Sequence, residues 1–247
     1  MVEPKNSLEQ IEAKVESYSP VFEDPGIDEE FLKSHNFVMT DNAKKRLSKL
    51  YTYIKAGVPL ILEGDTGSAK TFSAELICEF IESKLKKTEK HIKFSMNSEV
   101  KISDLLIKIV GNENSFTGIM INEGPFLKAA KNGIPLILDE INLSNPEVLQ
   151  CIEESLDTGM ISVDCGTFGL ITQKINDGFC LIATQNPGIG RFFDKRQVLS
   201  DKFLSHFQII TFESFSIEEL KNIAEGYLKK CQKMRYKKSK MKKTNNI

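Results

Sequence analysis

A glycine-rich loop followed by Lys-Thr is the strongest chemical signal in this sequence. An apolar run at 59–62 precedes the loop, and a helical pattern begins where the loop ends. The loop residues are Gly64, Asp65, Thr66, Gly67, Ser68, Ala69, Lys70 and Thr71. Glycines permit a concave row of backbone N–H groups, and a helix N-terminus adds partial positive charge. The pattern therefore predicts binding of ATP phosphates, with Lys70 on the β- and γ-phosphates and the Thr71 hydroxyl on Mg²⁺.

Ala69 departs from the usual spacing GxxxxGK[ST], which has a glycine at this position. Because the position opens the helix, we expect Ala69 to adopt helical φ and its methyl group to matter little. The alternative interpretation of the whole loop is an ordinary Gly/Ser turn before an exposed lysine. The order strand, loop, helix favours the phosphate-binding interpretation.

Two adjacent carboxylates, Asp139 and Glu140, end a second apolar run at 134–138. A buried strand that ends beside bound Mg-ATP would use Asp139 to orient Mg²⁺ through its waters. Glu140 would polarise the attacking water as general base. The alternative is a solvated turn, and the presence of the phosphate loop favours the catalytic interpretation.

A third apolar run, Phe179–Thr184, leads into Gln185, Asn186, Pro187 and Gly188. The amide of Asn186 could hydrogen-bond both the γ-phosphate and the attacking water, and so sense the nucleotide. The alternative is a simple turn, because Asn-Pro-Gly favours turns in any protein. In company with the other two motifs, Asn186 is predicted to be a sensor of the bound nucleotide.

Short apolar runs alternate with helical patterns along the chain, which predicts an α/β fold with a parallel sheet covered on both faces. The predicted strands are Pro59–Leu62, His91–Met96, Pro135–Leu138, Phe179–Thr184 and Gln208–Phe212. The predicted helices are Asp41–Ala56, Lys70–Lys86, Ile102–Val110, Gly124–Lys131, Pro146–Leu156 and Ile217–Leu228, with a hairpin at Met160–Ile171. Since ligands bind at the carboxyl ends of parallel strands, the three motifs should meet at one edge.

The composition is that of a soluble globular protein, with 40% hydrophobic residues, 27% charged residues and a net charge of −1. No apolar run reaches the ~18 residues of a membrane span, and the N-terminus lacks the pattern of a signal peptide. Five cysteines form no CxxC pair. We therefore expect neither a zinc site nor a disulfide framework, and an intracellular location.

Charge is distributed unevenly and suggests how the chain is organised. Residues 1–30 carry nine acids and two lysines, whereas 229–243 carry nine Lys/Arg and no acid. We expect an acidic, partly disordered extension at 1–35 with a short helix at Ser7–Glu16, and a core at 36–215. A remnant of a helical lid at 216–230 and a basic disordered tail at 231–247 would follow. Only that tail offers any argument for contact with nucleic acid.

Three segments together resemble the dynein-related AAA+ ATPases, most closely the midasin-like members and more distantly the MoxR type. The segments are EGDTGSAKT, EGPFLKAAKNGIPLILDEINLSNPEVLQCIEESLDTG and CLIATQNPGIG. The resemblance covers Phe37 to Leu228. It implies a P-loop NTPase core of the AAA+ class, with a five-stranded parallel sheet flanked by helices and a truncated helical lid.

The resemblance also implies roles for particular segments. Gly64–Thr71 would be the Walker A motif, Leu136–Glu140 the Walker B motif and Asn186 sensor 1. Met160–Ile171 would be the hairpin that precedes sensor 1, and Phe37–Met39 would lie near the adenine.

Two departures from the family bear on hydrolysis. The segment before the last strand usually reads like LSRAFRNRF and carries an arginine finger, but here it is LSDKFLSHF at 199–207. Asp201, Leu204 and His206 stand where the arginines would be. Arg191 and Arg196 lie upstream, and no motif supports either as a finger. We also expect most of the helical lid, together with its sensor 2 arginine, to be missing after Leu228.

The resemblance implies ATP binding and Mg²⁺-dependent hydrolysis, coupled to remodelling of a protein or ribonucleoprotein. Other AAA+ subunits or domains would be its neighbours, in the cytoplasm or the nucleus. The alternative is a non-hydrolysing ATP-binding switch or degenerate subunit, which His206 favours and Glu140 disfavours. A nucleotide kinase or a helicase is a third hypothesis, but neither an arginine-rich lid nor a second motor domain is present in the sequence.

Overall fold

The structure, a computed structural model, describes residues 24–35, 37–111, 119–166, 169–187 and 197–228. The helix predicted at Ser7–Glu16, the basic tail, Arg191 and Arg196 lie outside these residues. Within them, no helix is both long enough and apolar enough to span a membrane.

Nine strands are described, and five of them form the central sheet. The strands are β1 Leu60–Gly64, β2 Ile92–Ser95, β3 Ile107–Gly111, β4 Ile119–Glu123, β5 Pro135–Asp139, β6 Met160–Asp164, β7 Leu170–Lys174, β8 Cys180–Gln185 and β9 Gln208–Phe212. The sheet has the order β2-β5-β8-β1-β9, and every pairing in it is parallel. The predicted five-stranded parallel sheet is confirmed.

Helices cover both faces of this sheet. They are α1 Glu29–Ser34, α2 Asp41–Ala56, α3 Lys70–Leu85, α4 Ile102–Leu105, α5 Pro125–Asn132, α6 Pro146–Thr158 and α7 Asp201–Leu204, with a 3₁₀ turn at Ile141–Leu143 and a last helical segment at 217–228. Local sequence explains their starts. The Thr40 side chain accepts a hydrogen bond from Ala43 N at the start of α2, and Asn145 accepts one from Val148 N before Pro146 opens α6.

Two hydrophobic clusters form the core, one on each face of the sheet. Alternate residues of a strand point to opposite faces. Accordingly Leu60 and Leu62 of β1 pack with α2 and α3, whereas Ile61 between them packs with the cluster that contains Phe126 and Ile152. Strands β5 and β8 are buried along nearly their whole length, as expected for the centre of a parallel sheet.

The helix predicted at Ile102–Val110 is correct at its start and wrong beyond Leu105. Helix α4 ends at Leu105, and β3 then pairs antiparallel with β4. The residues of β3 include Ile107, Ile109 and Val110, and β-branched side chains favour the strand conformation. The hairpin predicted at Met160–Ile171 is confirmed, since β6 pairs antiparallel with β7, which extends to Lys174.

Gly64 ends β1 beside the backbone of β9 and begins the phosphate loop. A Cβ atom at this position would lie 2.2 Å from the carbonyl oxygen of Phe212. Only glycine therefore permits β1 and β9 to pair up to the start of the loop.

Candidate functional site

The three sequence motifs meet at the carboxyl edge of the sheet. Strands β5, β8 and β1 are neighbours, so the segments that follow them lie side by side. This brings Lys70, Asp139 and Asn186 together, although they are far apart in the sequence. The arrangement agrees with the expectation that the polar strand ends form one site.

Lys70 lies at the start of α3 with only 7% of its surface exposed. Its Nζ donates to Gly64 O at 2.7 Å and to Asp65 O at 2.9 Å. It also donates to Asn186 Oδ1 at 2.9 Å. A buried ammonium requires such acceptors, because burial of an uncompensated charge is costly. The lysine is thus held under the glycine loop and directed at the end of β8.

Thr71 is next to Lys70, and its hydroxyl donates to Asp139 Oδ1 at 2.8 Å. The same carboxylate oxygen accepts a hydrogen bond of 2.5 Å from the hydroxyl of Thr184. No local sequence pattern distinguishes Thr184 from an ordinary last residue of an apolar strand. The signal available was a hydroxyl at the polar end of this run, two residues before Asn186.

Glu140 has an unusual backbone conformation, with φ 59° and ψ 49° in the left-handed region. Its Oε1 accepts a hydrogen bond from Asn186 Nδ2 at 3.1 Å. Non-glycine residues adopt this conformation at a cost of about 1–3 kcal/mol, and such residues are common at functional sites. The side chain of Asn186 therefore bridges Lys70 and Glu140.

Asn142 is a second supporting residue that sequence analysis did not identify. It is buried, and its Nδ2 donates to the backbone oxygen of Asn186 at 3.0 Å. Among the described residues, its Oδ1 and the hydroxyl of Ser144 are buried and have no hydrogen-bond partner. Asn142 fixes the main chain from which the Asn186 amide projects.

Ala69 adopts φ 64° and ψ 27°, so the expectation of helical φ at this position is wrong. The chain enters α3 through a left-handed residue, which is where glycine is most favourable. For alanine this conformation costs about 1–2 kcal/mol. The departure from the usual motif is therefore a source of strain rather than a neutral change.

The N-terminus of α3 is suited to an anion. Ala69 gives no side-chain cap, and the first turn contains no acidic residue. The first N–H groups of a helix lack intrahelical partners and carry partial positive charge, which attracts phosphate groups. The loop is also tied to the segment after β9, because Ser214 Oγ donates to Asp65 Oδ2 at 2.8 Å.

The segment before α2 contacts both α3 and the last helical segment. The Phe37 and Phe72 rings stack with their centroids 5.8 Å apart. Gly226 packs so closely on Val38 that a Cβ atom there would lie 2.9 Å from Val38 Cγ2. Phe72 follows Thr71 directly, so this aromatic pair is close in sequence to the phosphate loop. That Phe37–Met39 lies near an adenine stays a prediction.

The segment 197–207 contains no arginine, and its lysine is paired within the chain. Lys202 Nζ donates to Glu153 and, at 3.2 Å, to Asp157 Oδ2. These hydrogen bonds, first that to Glu153 and then that to Asp157, raise the pKa of Lys202. His206 Nε2 lies 3.2 Å from Asp157 Oδ1 but is not aligned for a hydrogen bond.

Comparison with known families gives the class of this protein. A protein-family model described as "AAA domain (dynein-related subfamily)" matches residues 59–207, which is more than half of the chain. The chain therefore belongs to the dynein-related subfamily of AAA domains.

Relatives agree with this membership. The chain is 28% identical over 192 residues to a midasin of Giardia intestinalis and 24% identical over 192 residues to a midasin of Dictyostelium discoideum. The first match covers 77% of this chain and 4% of the relative, and the second covers 76% and 3%. An uncharacterised protein of Staphylococcus aureus is 28% identical over 145 residues, which are 59% of this chain and 53% of that protein. This chain thus spans a small part of the midasins.

A solved structure supports the fold. The crystal structure of a candidate ATPase from Cytophaga hutchinsonii superimposes with a TM-score of 0.55 and 20% identity, covering 88% of this chain and 58% of that chain. At this identity the likeness establishes the fold alone.

Proposed function

We propose that this chain binds ATP together with Mg²⁺ at the loop 64–71 and hydrolyses it. The observation that carries the proposal is the bridge formed by Asn186 between Lys70 and Glu140. A lysine at the phosphate loop, an amide and a carboxylate in one hydrogen-bonded row are suited to holding a phosphate beside an activated water. Membership of the dynein-related AAA subfamily supports the same function.

Phosphate binding would use the backbone N–H groups of the loop, the N-terminus of α3 and the ammonium of Lys70. In a contact between Lys70 and a phosphate oxygen both partners are charged, whereas in its hydrogen bonds to carbonyl oxygens only the ammonium is charged. Lys70 would therefore favour the phosphates over the carbonyl oxygens of Gly64 and Asp65 that it contacts here.

The oxygens of Thr71 and Asp139 fit a magnesium ion. Both are hard ligands, and Mg²⁺ is usually held by one or two carboxylates together with substrate phosphates and water. The Thr71 hydroxyl and Asp139 Oδ1 are already 2.8 Å apart, so one ion could use both side chains. When bound, Mg²⁺ neutralises charge that develops on the phosphates.

Glu140 is the general base in this proposal. Its carboxylate would take a proton from the attacking water while Asn186 holds it in place. The Asn186 amide would also contact the γ-phosphate, so one side chain would position the phosphate and the base relative to each other. Effects of general acid–base catalysis of this kind are typically about 10²–10⁴-fold.

A non-hydrolysing switch is the second candidate function, and the segment 197–207 favours it. Stabilisation of phosphoryl transfer by a neighbouring subunit requires a cation that is free to reach across. Here Lys202 is paired with Glu153 and Asp157, and no arginine stands at 197–207. Under this alternative the chain binds Mg-ATP and changes its partners without turnover.

We also propose that other AAA+ domains are its neighbours and that a protein or ribonucleoprotein is remodelled. The support for this is family membership and the similarity to midasins.

The proposed ATP binding and hydrolysis are tested by titrating ATP into the purified chain with and without Mg²⁺, and by measuring phosphate release. We expect ATP binding that Mg²⁺ strengthens, together with slow release of phosphate. Absence of ATP binding would overturn the proposal.

A further inference from the structure

Thr184 is a buried hydroxyl at the centre of the site, with 1% of its surface exposed. In register it lies opposite Leu62 of β1, and its side chain reaches the end of β5. Its Oγ1 donates to Asp139 Oδ1 at 2.5 Å and accepts from Glu140 N at 3.0 Å. One hydroxyl thus contacts both residues of the acidic pair.

The directions of these two hydrogen bonds are fixed by chemistry. A backbone N–H can only donate and a hydroxyl has a single hydrogen, so the hydrogen of Thr184 is available for the carboxylate. Asp139 Oδ1 thereby receives hydroxyl hydrogens from Thr184 and from Thr71. The Asp139 carboxylate is held in one orientation between the two threonines.

Glu140 is held at two points from the same end of β8. Thr184 accepts from its backbone N–H, and Asn186 donates to its carboxylate. Thr184 lies in β8 and Asn186 directly follows its last residue, so both are beside the end of β5, the strand that pairs with β8. The left-handed turn at Glu140 needs such support, because nothing else in its local sequence favours that conformation.

We propose that Thr184 is a positioning residue that orients Asp139 toward the metal and the Glu140 turn toward the attacking water. It thereby couples the magnesium site to the general base. This rests on the function proposed above. The competing explanation is that Thr184 only fills a polar gap in the core. A structural role of that kind would change stability without changing the dependence of ATP binding on Mg²⁺.

The test compares variants that separate the hydroxyl from the shape of the side chain. Thr184→Val keeps the shape and removes both hydrogen bonds, whereas Thr184→Ser keeps the hydroxyl and removes the methyl group. Thr52→Val is the matched control, since Thr52 is also buried and its hydroxyl donates to Ser48 O within α2. Correct folding is checked by circular dichroism.

The first readout is ATP binding by calorimetry across a Mg²⁺ titration. Loss of a partner that orients a metal ligand typically weakens metal binding or activity about 10–100-fold. We expect Thr184→Val to need at least about 10-fold more Mg²⁺ for half-maximal ATP binding. ATP binding in EDTA should stay within about twofold of the wild type, because Thr184 contacts the metal ligand and not the phosphate loop. Thr184→Ser and Thr52→Val should resemble the wild type.

The second readout is phosphate release at saturating Mg²⁺. Here Thr184→Val should lower kcat by about 10-fold or more while KM for ATP changes little, since the base and not the binding loop is misplaced.

An unchanged Mg²⁺ dependence in Thr184→Val would overturn the proposal, as would equal losses with and without Mg²⁺. Equal damage in Thr184→Ser would also overturn it, because the hydroxyl is then irrelevant. If Thr184→Val fails to fold, Thr184→Ser is compared with Thr184→Ala, since these differ only in the hydroxyl oxygen. The proposal then requires the higher Mg²⁺ requirement and the lower kcat in Thr184→Ala alone. A wild type that binds no Mg-ATP overturns the proposed function itself. If the wild type binds Mg-ATP and Thr184→Val shows the same Mg²⁺ dependence, only the role of Thr184 is overturned.

Discussion

The Nδ2 atom of Asn186 donates a hydrogen bond to Glu140 Oε1 at 3.1 Å, across the adjacent strands β8 and β5. The oxygen of the same amide accepts from Lys70 at 2.9 Å. One side chain therefore contacts both the cation predicted to bind phosphates and the carboxylate predicted to activate water. Release of Lys70 to a phosphate would free this amide oxygen, so nucleotide binding can be communicated to the base.

Substitution of Lys70 by alanine is expected to abolish ATP binding, because its ammonium is the side-chain cation that the loop holds beneath the phosphates. Hydrogen bonds to charged groups contribute about 1.5–3 kcal/mol each, so loss of two should weaken binding at least about 10²-fold. Calorimetric titration with Mg-ATP measures this. Lys84→Ala, in the last turn of α3, is the control and should bind normally. Equal affinity in Lys70→Ala and the wild type would contradict the assignment of the loop.

Thr71→Ala should weaken the binding of Mg-ATP far more than that of metal-free ATP. The hydroxyl contacts Asp139 and would ligate the metal, so it has no role when the metal is removed. Titrations in Mg²⁺ and in EDTA give the two affinities. Thr71→Ser keeps the hydroxyl and should retain the difference between them. A similar loss under both conditions would argue against a metal ligand at this position.

Much of the fold and of the site could be predicted from local sequence. The phosphate loop, the carboxylate pair and Asn186 each follow an apolar strand, and parallel strands bring their ends together. Thr184 and Asn142 were missed because their importance depends on hydrogen bonds between strands β5 and β8. Contacts of this kind depend on the strand order and the register, which no local pattern states.

Two local expectations failed for physical reasons. Helix α4 ends at Leu105 because pairing with β4 outweighs the helical pattern, and the partner strand lies beyond the window in which periodicity is judged. Ala69 was expected to be helical because it precedes Lys70, but the loop must reverse direction there to place its N–H groups around one point. The residue type at position 69 does not indicate that the loop requires a positive φ there.

Ala69→Gly should stabilise the protein, since its left-handed φ of 64° is strained for alanine. Relief of about 1–2 kcal/mol outweighs the additional unfolded-state entropy of glycine, which leaves a net gain of about 0.5–1 kcal/mol. Urea denaturation measures the free energy of unfolding. The matched control is Ala74→Gly in the interior of α3, which should destabilise by about 1 kcal/mol or more. A loss of stability in both variants would contradict the strain at Ala69.

The His206→Arg variant tests whether copies of this chain can activate one another's ATP hydrolysis. With Lys202 paired to Glu153 and Asp157, copies of this chain should activate one another poorly, and turnover per chain should depend little on protein concentration. Arginines supplied by a neighbouring subunit raise kcat by about 10³–10⁵-fold in related reactions. Even a partial effect in His206→Arg should therefore raise turnover by more than about 10-fold. Phosphate release against protein concentration, with light scattering to follow oligomers, measures the effect.

His206→Gln is the control for that experiment, because it removes the imidazole without adding a cation. It should show no gain. Rapid, concentration-dependent turnover by the wild type would mean that another residue supplies the cation, with Arg196 the first to substitute. No gain from His206→Arg in a preparation that assembles would contradict the placement of this segment beside a neighbouring site.

The most direct test of the account is the comparison of wild type and Glu140→Gln in parallel assays of Mg-ATP binding and phosphate release. Glutamine preserves the size of the side chain and can still contact Asn186, but it cannot accept the proton from water. We predict equal Mg-ATP affinity and a turnover lower by about 10²-fold or more. Equal turnover in the two proteins would contradict Glu140 as the general base. If the wild type binds Mg-ATP but shows no turnover, the non-hydrolysing switch becomes the supported function in place of hydrolysis.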